Sequence, residues 1–453
     1  MTEAADQHHL GSEQAISWKP YTSYMESGVE WVDAVPSHWK LRPLFTVARE
    51  RNEKNISNSV QTVLSLSYGR IVERDVSDNF GLLPESFDTY QILHPGNIVL
   101  RLTDLQNDKR SLRIGLVKQH GIITSAYVGL ELQAGLHPSY GYYLLHSFDV
   151  TKVFYSFGGG VRQTMKFEDL KRLPVFIPPP KEQEFIVTFL DRETSKIDAL
   201  VAKKERLIEF LQEKRAALIT QVVTKGLDPS APMKDSGVEW LGQIPAHWEV
   251  RRIAMAVQKI TNGFVGPTRD ILVDEGVRYL QSLHIKNGQI VIDKPYFVTE
   301  EWNKTHAKSI LREGDVLLVQ TGDIGQCCTV PREFEGCNCH ALIILQLKKG
   351  FGSGSYLSAF LRSDYGLNSL LLAQTGALHP HLECGKVREI KVILPPPGEQ
   401  LEIMTFLDHE TAKIDALIAK VHEGIERLKE YRTALISAAV TGKIDVRDKV
   451  ATR

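Results

Sequence analysis

A chain of 453 residues exceeds what a single hydrophobic core supports, so two or three domains are expected. With 43% apolar and 24% charged residues the composition is that of a soluble globular protein, and no apolar run reaches the roughly 18 to 20 residues of a membrane span. The net charge of −1 excludes a small basic domain that coats phosphates, so any nucleic-acid surface has to be local: residues 40–176 carry 17 Lys/Arg against 13 Asp/Glu, and 249–391 carry 17 against 15.

In chain order, Met1 to Ser12 is polar and lacks the positive flank and apolar stretch of a secretory signal, which predicts a cytoplasmic location. Five cysteines, an odd number in a long chain, predict reduced thiols and no disulfide framework. The block Ser27-Gly-Val-Glu-Trp31, with Pro36 and His38-Trp39, opens a first insert of short apolar runs and turns. Within it, Ile92 to Arg101 reads as a Gly-containing turn followed by a buried strand, and Tyr140 to Val153 as a helix.

The polar loop after that strand holds Arg101, Thr103, Gln106, Asn107, Lys109 and Arg110. These are the donors and acceptors that reach base edges, Arg for guanine and Asn or Gln for adenine, although a solvated turn has the same composition. Gly158 to Gln163, with Arg162 and Gln163, is a Gly-bearing turn that suits either approach to a phosphate backbone or a tight connection.

The prolines at 178–180 end the strand Leu173–Ile177 and stand outside any helix interior. A helix from about Glu182 to Thr224 follows, on the order of 60 Å long at ~1.5 Å per residue. Its apolar seam is Ile197, Val201, Ile208, Leu211, Leu218 and Val222, interrupted by Lys204 and Arg215, and Gly226 with Asp228-Pro229 closes it. A second block, Ser236 to Trp240 with Pro245 and His247-Trp248, opens a second insert. Here Ile310 to Val319 reads as turn and buried strand, and Tyr356 to Leu372 as helix, while Gln281, Gln320, Thr321 and His379 are the candidate base-contacting residues. Prolines 395–397 then precede a second long helix with the seam Ile414, Ile418, Val421, Ile425, Leu428, Leu435 and Ala439, Arg432 taking one position.

The repeat governs this reading. Pro178-Pro-Pro-Lys-Glu-Gln and Phe189-Leu-Asp-Arg-Glu-Thr-Ser-Lys-Ile-Asp-Ala-Leu200 return as Pro395-Pro-Pro-Gly-Glu-Gln and Phe406-Leu-Asp-His-Glu-Thr-Ala-Lys-Ile-Asp-Ala-Leu417, at an unbroken offset of 217 that runs on through Arg215/Arg432 and Val223/Val440. The Ser-Gly-Val-Glu-Trp blocks recur at an offset of 209, and the inserts between share little beyond pattern. The simplest partner for each helix is its own copy, packed antiparallel about a pseudo-two-fold axis, with the inserts at opposite ends of a rod. Two core helices of unrelated domains are the blander alternative. The expected fold is mixed α/β: two globular domains separated by an antiparallel coiled-coil pair of long helices. The boundaries are a tail (1–23), a first domain (24–177), a central helical region (178–226), a second domain (227–394), a C-terminal helical region (395–443) and a tail (444–453).

Catalytic signatures are missing. No G-x-x-x-x-G-K-[ST] loop occurs, and Phe157-Gly-Gly-Gly160 lies outside any visible βαβ unit. Glu389-Ile-Lys391 reads as strand surface. Cys327-Cys328 and Cys337-Asn-Cys339-His340 lack the C-x-x-C pair that zinc sites favour, so no metal ligands are assigned.

The paired Pro-Pro-Pro-x-Glu-Gln and Phe-Leu-Asp-x-Glu-Thr-x-Lys-Ile-Asp-x-Leu segments with their Ser-Gly-Val-Glu-Trp and Pro-x-His-Trp companions resemble the specificity subunits of type I restriction-modification systems. The resemblance implies that each insert is a target-recognition domain reading one half of a split double-stranded DNA sequence, with the helices as a ruler for the gap. It also implies docking of two modification subunits that methylate adenine with S-adenosylmethionine. Two restriction subunits that use ATP and Mg would join them, leaving no cofactor and no catalytic residue on this chain. Competing readings are a self-sufficient methyltransferase or nuclease, which needs motifs that are missing, and a bivalent protein-binding scaffold with a coiled-coil spacer.

Overall fold

A computed structural model describes residues 18–75, 86–103, 112–156, 164–376 and 380–449. The chain forms two compact units. One is Met1–Lys203 with Gly424–Arg453, and the other is Lys204–Glu423, so the division falls inside both long helices.

The long helices are Pro180–Lys225 and Pro397–Val440. Each begins on the third proline of its triplet, and for the first helix that is two residues before the start expected from sequence. Proline suits the first helical position because the missing N–H has no intrahelical partner there and φ is already helical. Pro179 O accepts from the backbone N–H groups of Glu182 and Gln183 at 2.9 and 3.0 Å. Gly226 and Gly442, at φ +79° and +73°, end the two helices in the left-handed conformation that glycine adopts without strain.

In the first unit the beginning of the first helix and the end of the second run side by side in opposite directions. Ile186, Phe189, Leu190 and Ile197 share one core with Leu435, Ile436, Ala439 and Val440, and Arg432 Nε meets Asp198 Oδ1 at 3.0 Å. In the second unit the remaining parts pair the same way: Ile219, Val222 and Val223 share a core with Ile403 and Leu407, and Arg215 Nε meets Asp415 Oδ1 at 3.0 Å. Along the heptad seams, Ile197, Ile208, Leu211 and Val222 are buried, as are Ile414, Val421, Ile425, Leu435 and Ala439, with Val201, Leu218, Ile418 and Leu428 half-buried.

Each unit repeats one architecture on a different sequence. A short entry hairpin comes first, Tyr24–Val29 with Val32–Pro36 in one unit and Met233–Asp235 with Gln243–Pro245 in the other. Next a strand leading into the insert pairs antiparallel with the strand that leaves it, Lys40–Pro43 with Pro174–Ile177 and Glu249–Arg252 with Lys391–Leu394. Each insert then builds a four-stranded antiparallel sheet. In the first the order is Ala48–Arg51, Val128–Leu132, Ile98–Leu100, Ile114–Leu116, and in the second Val257–Asn262, Leu342–Leu347, Val316–Val319, Cys327–Thr329. The expected buried strands are the central Ile98–Leu100 and Val316–Val319, every residue of which is buried. The helix expected near residue 140 spans Pro138–Val150. The one expected at 356–372 is two helices, Gly354–Leu361 and Asp364–Leu372, because Ser363 caps a new start by accepting from Gly366 N. Among the described residues no helix is long and apolar enough to cross a membrane.

Candidate nucleic-acid interface and its frame

The repeated motif residues are the joints between constant frame and variable insert. Gln183 donates through Nε2 to Pro178 O and Gly135 O, both at 2.9 Å, and accepts at Oε1 from the backbone N–H of His137, the cap of the insert helix, at 2.7 Å. Gln400 does the same in the other unit. It donates to Pro395 O at 2.9 Å and Phe351 O at 3.3 Å, and accepts from Ser353 N, the cap of its insert helix, at 3.0 Å. A tyrosine on each of those helices returns the contact. Tyr140 O–H donates to Val440 O at 3.2 Å and to Phe176 O at 3.0 Å, and Tyr356 O–H donates to Val223 O at 3.0 Å. Both phenols satisfy a carbonyl in the last turn of a long helix, where no intrahelical donor remains, and burial pushes both titrations upward.

Glu182 is the centre of a denser joint. Its Oε1 accepts from Tyr21 O–H at 2.6 Å and Trp39 Nε1 at 2.8 Å, while Oε2 lies 2.8 Å from His38 Nε2. Only 5% of Glu182 is exposed. Arg447, bonded to Asp445, covers the Tyr21 ring at 5.0 Å, and burial together with the Glu182 bond drives the Tyr21 phenol upward. In the second unit Glu399 keeps its bond to His247 at 2.8 Å, but Trp248 Nε1 is buried without a partner.

Of the candidate reading residues, Arg101 and Thr103 sit half-buried where the chain leaves the central strand of the first insert. Arg113, fully buried, anchors that exit: its Nη1 donates to Thr103 O at 2.8 Å and Arg101 O at 3.3 Å, and its backbone N–H donates to Asp149 Oδ2 at 2.6 Å. Gln106, Asn107, Lys109, Arg110, Arg162, Gln163 and His379 lie outside the described residues, as do Phe157–Gly160.

In the second insert Gln320 and Thr321 follow the central strand and pair with the segment at His381–Leu382. Gln320 Nε2 donates to Leu382 O at 3.1 Å, Leu382 N donates to Gln320 O at 2.9 Å, and Thr321 bridges His381. Both residues line a cavity of about 650 Å³ with Asn262, His340 and His381. Its polar groups include Gln320 Oε1, buried without a partner, and the His340 ring, whose protonation burial disfavours. Gln281 does not line this cavity. It caps a short 3-10 turn by accepting from His284 N, and its backbone N–H donates to His284 Nδ1 at 2.9 Å. Sequence reasoning missed Asn262 and His381 and met His340 only beside the cysteines, because the three arrive from separate segments.

Cys327, Cys328, Cys337 and Cys339 are buried, and burial pushes the Cys327 thiol up to about 11. Cys328 and Cys339 pack with Leu317, Val319 and Ile344 in a sheet-face core. Among the described residues no group of three or more His, Cys, Asp or Glu side chains gathers as a metal site would. Lys391 is exposed on its strand, and Glu389 pairs with Arg252 Nη1 at 2.7 Å.

This arrangement defines a class of protein in which one duplicated helical frame presents two dissimilar inserts of common topology. No family model matches the chain. It is 21% identical over 275 residues to the type I restriction enzyme EcoBI specificity subunit of Escherichia coli, an alignment covering 59% of this chain and 58% of that protein. It is 23% identical over 329 residues to the type I restriction enzyme MjaIX specificity subunit of Methanocaldococcus jannaschii, covering 69% and 71%. A solved chain from work on complex assembly and conformational transition of the type I R-M system superposes with a TM-score of 0.66 at 16% identity, covering 90% of this chain and 99% of its own, a likeness that shows the fold. In sequence the chain is thus similar to type I restriction enzyme specificity subunits, and in fold to a chain of a type I R-M system.

Proposed function

We propose that this protein selects the DNA target of a type I restriction-modification enzyme. Each insert reads one half of a bipartite sequence, and the helices set the number of unread base pairs between. The observation that carries this is one frame built twice around two inserts of the same sheet order and different sequence. Two dissimilar readers on a common mount suit two different half-sites; a symmetric palindrome would call for identical readers.

The chain itself performs no chemistry on this reading. Modification subunits carrying S-adenosylmethionine and restriction subunits using ATP and Mg supply it, and this protein is their scaffold. Of the candidate contacts, Arg101, Thr103, Gln320 and Thr321 stand at the exits of the central strands, and the cavity beside Gln320 adds Asn262, His340 and His381. Titrating labelled duplexes against the chain assembled with its modification subunit, at several salt concentrations, tests the proposal. A sequence-preferring complex whose affinity falls steeply with salt is expected, and equal, salt-insensitive binding of all duplexes would reject it. Mapping methylated adenines in the host genome gives both half-sites and the gap.

A further inference from the structure

Two cavities on opposite copies of the frame prove to be the same cavity. In the first unit a space of about 580 Å³ is walled on the helix side by Asp191, Thr194, Asp198 and Arg432. In the second, a space of about 310 Å³ is walled by Asp408, Thr411, Asp415 and Arg215. Each of these is its counterpart at the frame offset of 217, and the Arg–Asp pair closes at 3.0 Å in both.

What fills the opposite wall comes from the inserts, which share little sequence, yet the solution recurs. Each insert brings up the tip of a two-residue hairpin, Tyr68-Gly69 or Asn287-Gly288, with both residues at positive φ (45° and 76°, 51° and 86°). Each insert also brings one arginine to the cavity wall. In the first it is Arg70, just past the tip, whose guanidinium lies 3.6 Å from Asp198. In the second it is Arg362, at the end of an insert helix, which lines the cavity and donates from Nη1 to Asn287 O at the tip at 3.0 Å. A Cβ on Gly288 would fall 2.2 Å from that same Nη1, so any larger residue there would displace the guanidinium from its present place. Each hairpin is a two-stranded sheet of its own whose apolar side chains, Leu64, Leu66 and Ile71 or Ile285 and Ile290, pack on the core strands of its insert while its tip reaches the frame. Two unlike sequences that bring the same hairpin-tip geometry and one arginine to the same cavity of the frame are the mark of a positional requirement.

We infer that these cavities are orientation latches: the hairpin tip with Arg70, or with Arg362, fixes the angle at which each recognition insert stands on the helices and so sharpens the gap length that the protein accepts. Arg70 and Arg362 are positioning residues, and neither is among the candidate base contacts. The inference rests on the reading of the protein as a bipartite DNA reader.

The test uses the chain assembled with its modification subunit, and duplexes carrying its mapped half-sites at the native gap and at one base pair more or fewer. Arg70 is largely exposed, so Arg70→Ala folds; an exposed ion pair bounds the effect at about a two- to fivefold loss of discrimination against the wrong gaps. Combined with Arg362→Gln the loss multiplies to about tenfold, since the two cavities share no residue. Arg70→Lys restores most of the discrimination, because it keeps the charge. Half-site sequence preference stays unchanged throughout. Unaltered gap discrimination in Arg70→Ala and the double variant overturns the latch, and so does a change in half-site sequence preference. A wild-type complex with no sequence-preferring binding at all removes the functional reading, and the latch with it.

Discussion

Replacing Glu182 with alanine should loosen the first unit far more than the same change at Glu399 loosens the second, although the two residues occupy one position of the repeat. Glu182→Ala strips the acceptor from Tyr21 O–H and Trp39 Nε1, whose residues are 4% and 3% exposed, and leaves His38 without its carboxylate. A buried donor left unpaired costs about 1–3 kcal/mol. Two such donors, less the recovered desolvation of the carboxylate, give about 3 kcal/mol. Among the described residues Glu399 accepts only from His247, its side chain is 25% exposed, and Trp248 Nε1 has no partner to lose. Its removal should cost about 1 kcal/mol or less.

Because the chain holds two units, a single unfolding midpoint would blur the comparison. Hydrogen exchange read peptide by peptide separates them. At about 1.4 kcal/mol per factor of ten, Glu182→Ala should speed exchange of peptides near residues 21–43 and 436–446 by roughly two orders of magnitude, and Glu399→Ala should speed those near 241–252 by roughly fivefold. Equal acceleration at the two sites, or a larger effect from Glu399→Ala, would refute the claim that the denser hydrogen-bonding around Glu182 is a stabilising joint.

Tyr140→Phe and Tyr356→Phe should each destabilise by about 1–2 kcal/mol, each leaving a last-turn carbonyl, Val440 O or Val223 O, unpaired; urea titration with local exchange checks it. His146 is 2% exposed, with Nδ1 buried and unpartnered, and burial with the nearby Arg432 pushes its pKa down to about 4. The unfolded chain, with His near 6.5, therefore binds the extra proton first. This contribution is complete above about pH 6.5 and declines as pH falls toward about 4, by about 3 kcal/mol in total; His146→Phe should flatten that part of the stability profile. With a thiol reagent at neutral pH, half-buried Cys384 should react first in the folded protein, while Cys327, Cys328, Cys337 and Cys339 react only on unfolding. Mass mapping that finds rapid labelling at any of those four contradicts the burial described here.

The long helices and their antiparallel pairing were legible because a heptad seam and a gapless repeat are one-dimensional signals. Ile197 and Leu435, or Val222 and Ile403, meet because each helix carries the same stripe. The central strands could also be read, since Ile98–Leu100 and Val316–Val319 are continuous apolar runs after a turn. The prolines misled by two residues, because a residue barred from a helix interior is favoured at its first turn. The cavity beside Gln320 was not legible: Asn262, His340 and His381 lie far apart in sequence, and only sheet pairing gathers them. Arg113 escaped for another reason. An arginine in a polar stretch reads as surface, and nothing local says that its guanidinium is spent on two backbone carbonyls.

The two joints also differ in how the chain reaches them. In the second unit the backbone runs unbroken from the end of the first helix at Lys225 through Gly226 to the entry strand at Met233. In the first unit the corresponding connection is made without a covalent bond. Residues 18–24 meet residues 441–449, with Asp445 N donating to Lys19 O at 2.7 Å, Tyr24 O–H to Gly442 O at 3.0 Å and Lys19 Nζ to Asp448 Oδ2 at 3.0 Å. Where continuity holds the joint together, Glu399 needs one partner. Where two segments have to be held by contacts alone, Glu182 collects three, and Arg447 seals the Tyr21 ring that reaches it. The asymmetry between two copies of one motif thus follows from the different chain connectivity at each, and the extra hydrogen bonds stand where the covalent link is absent.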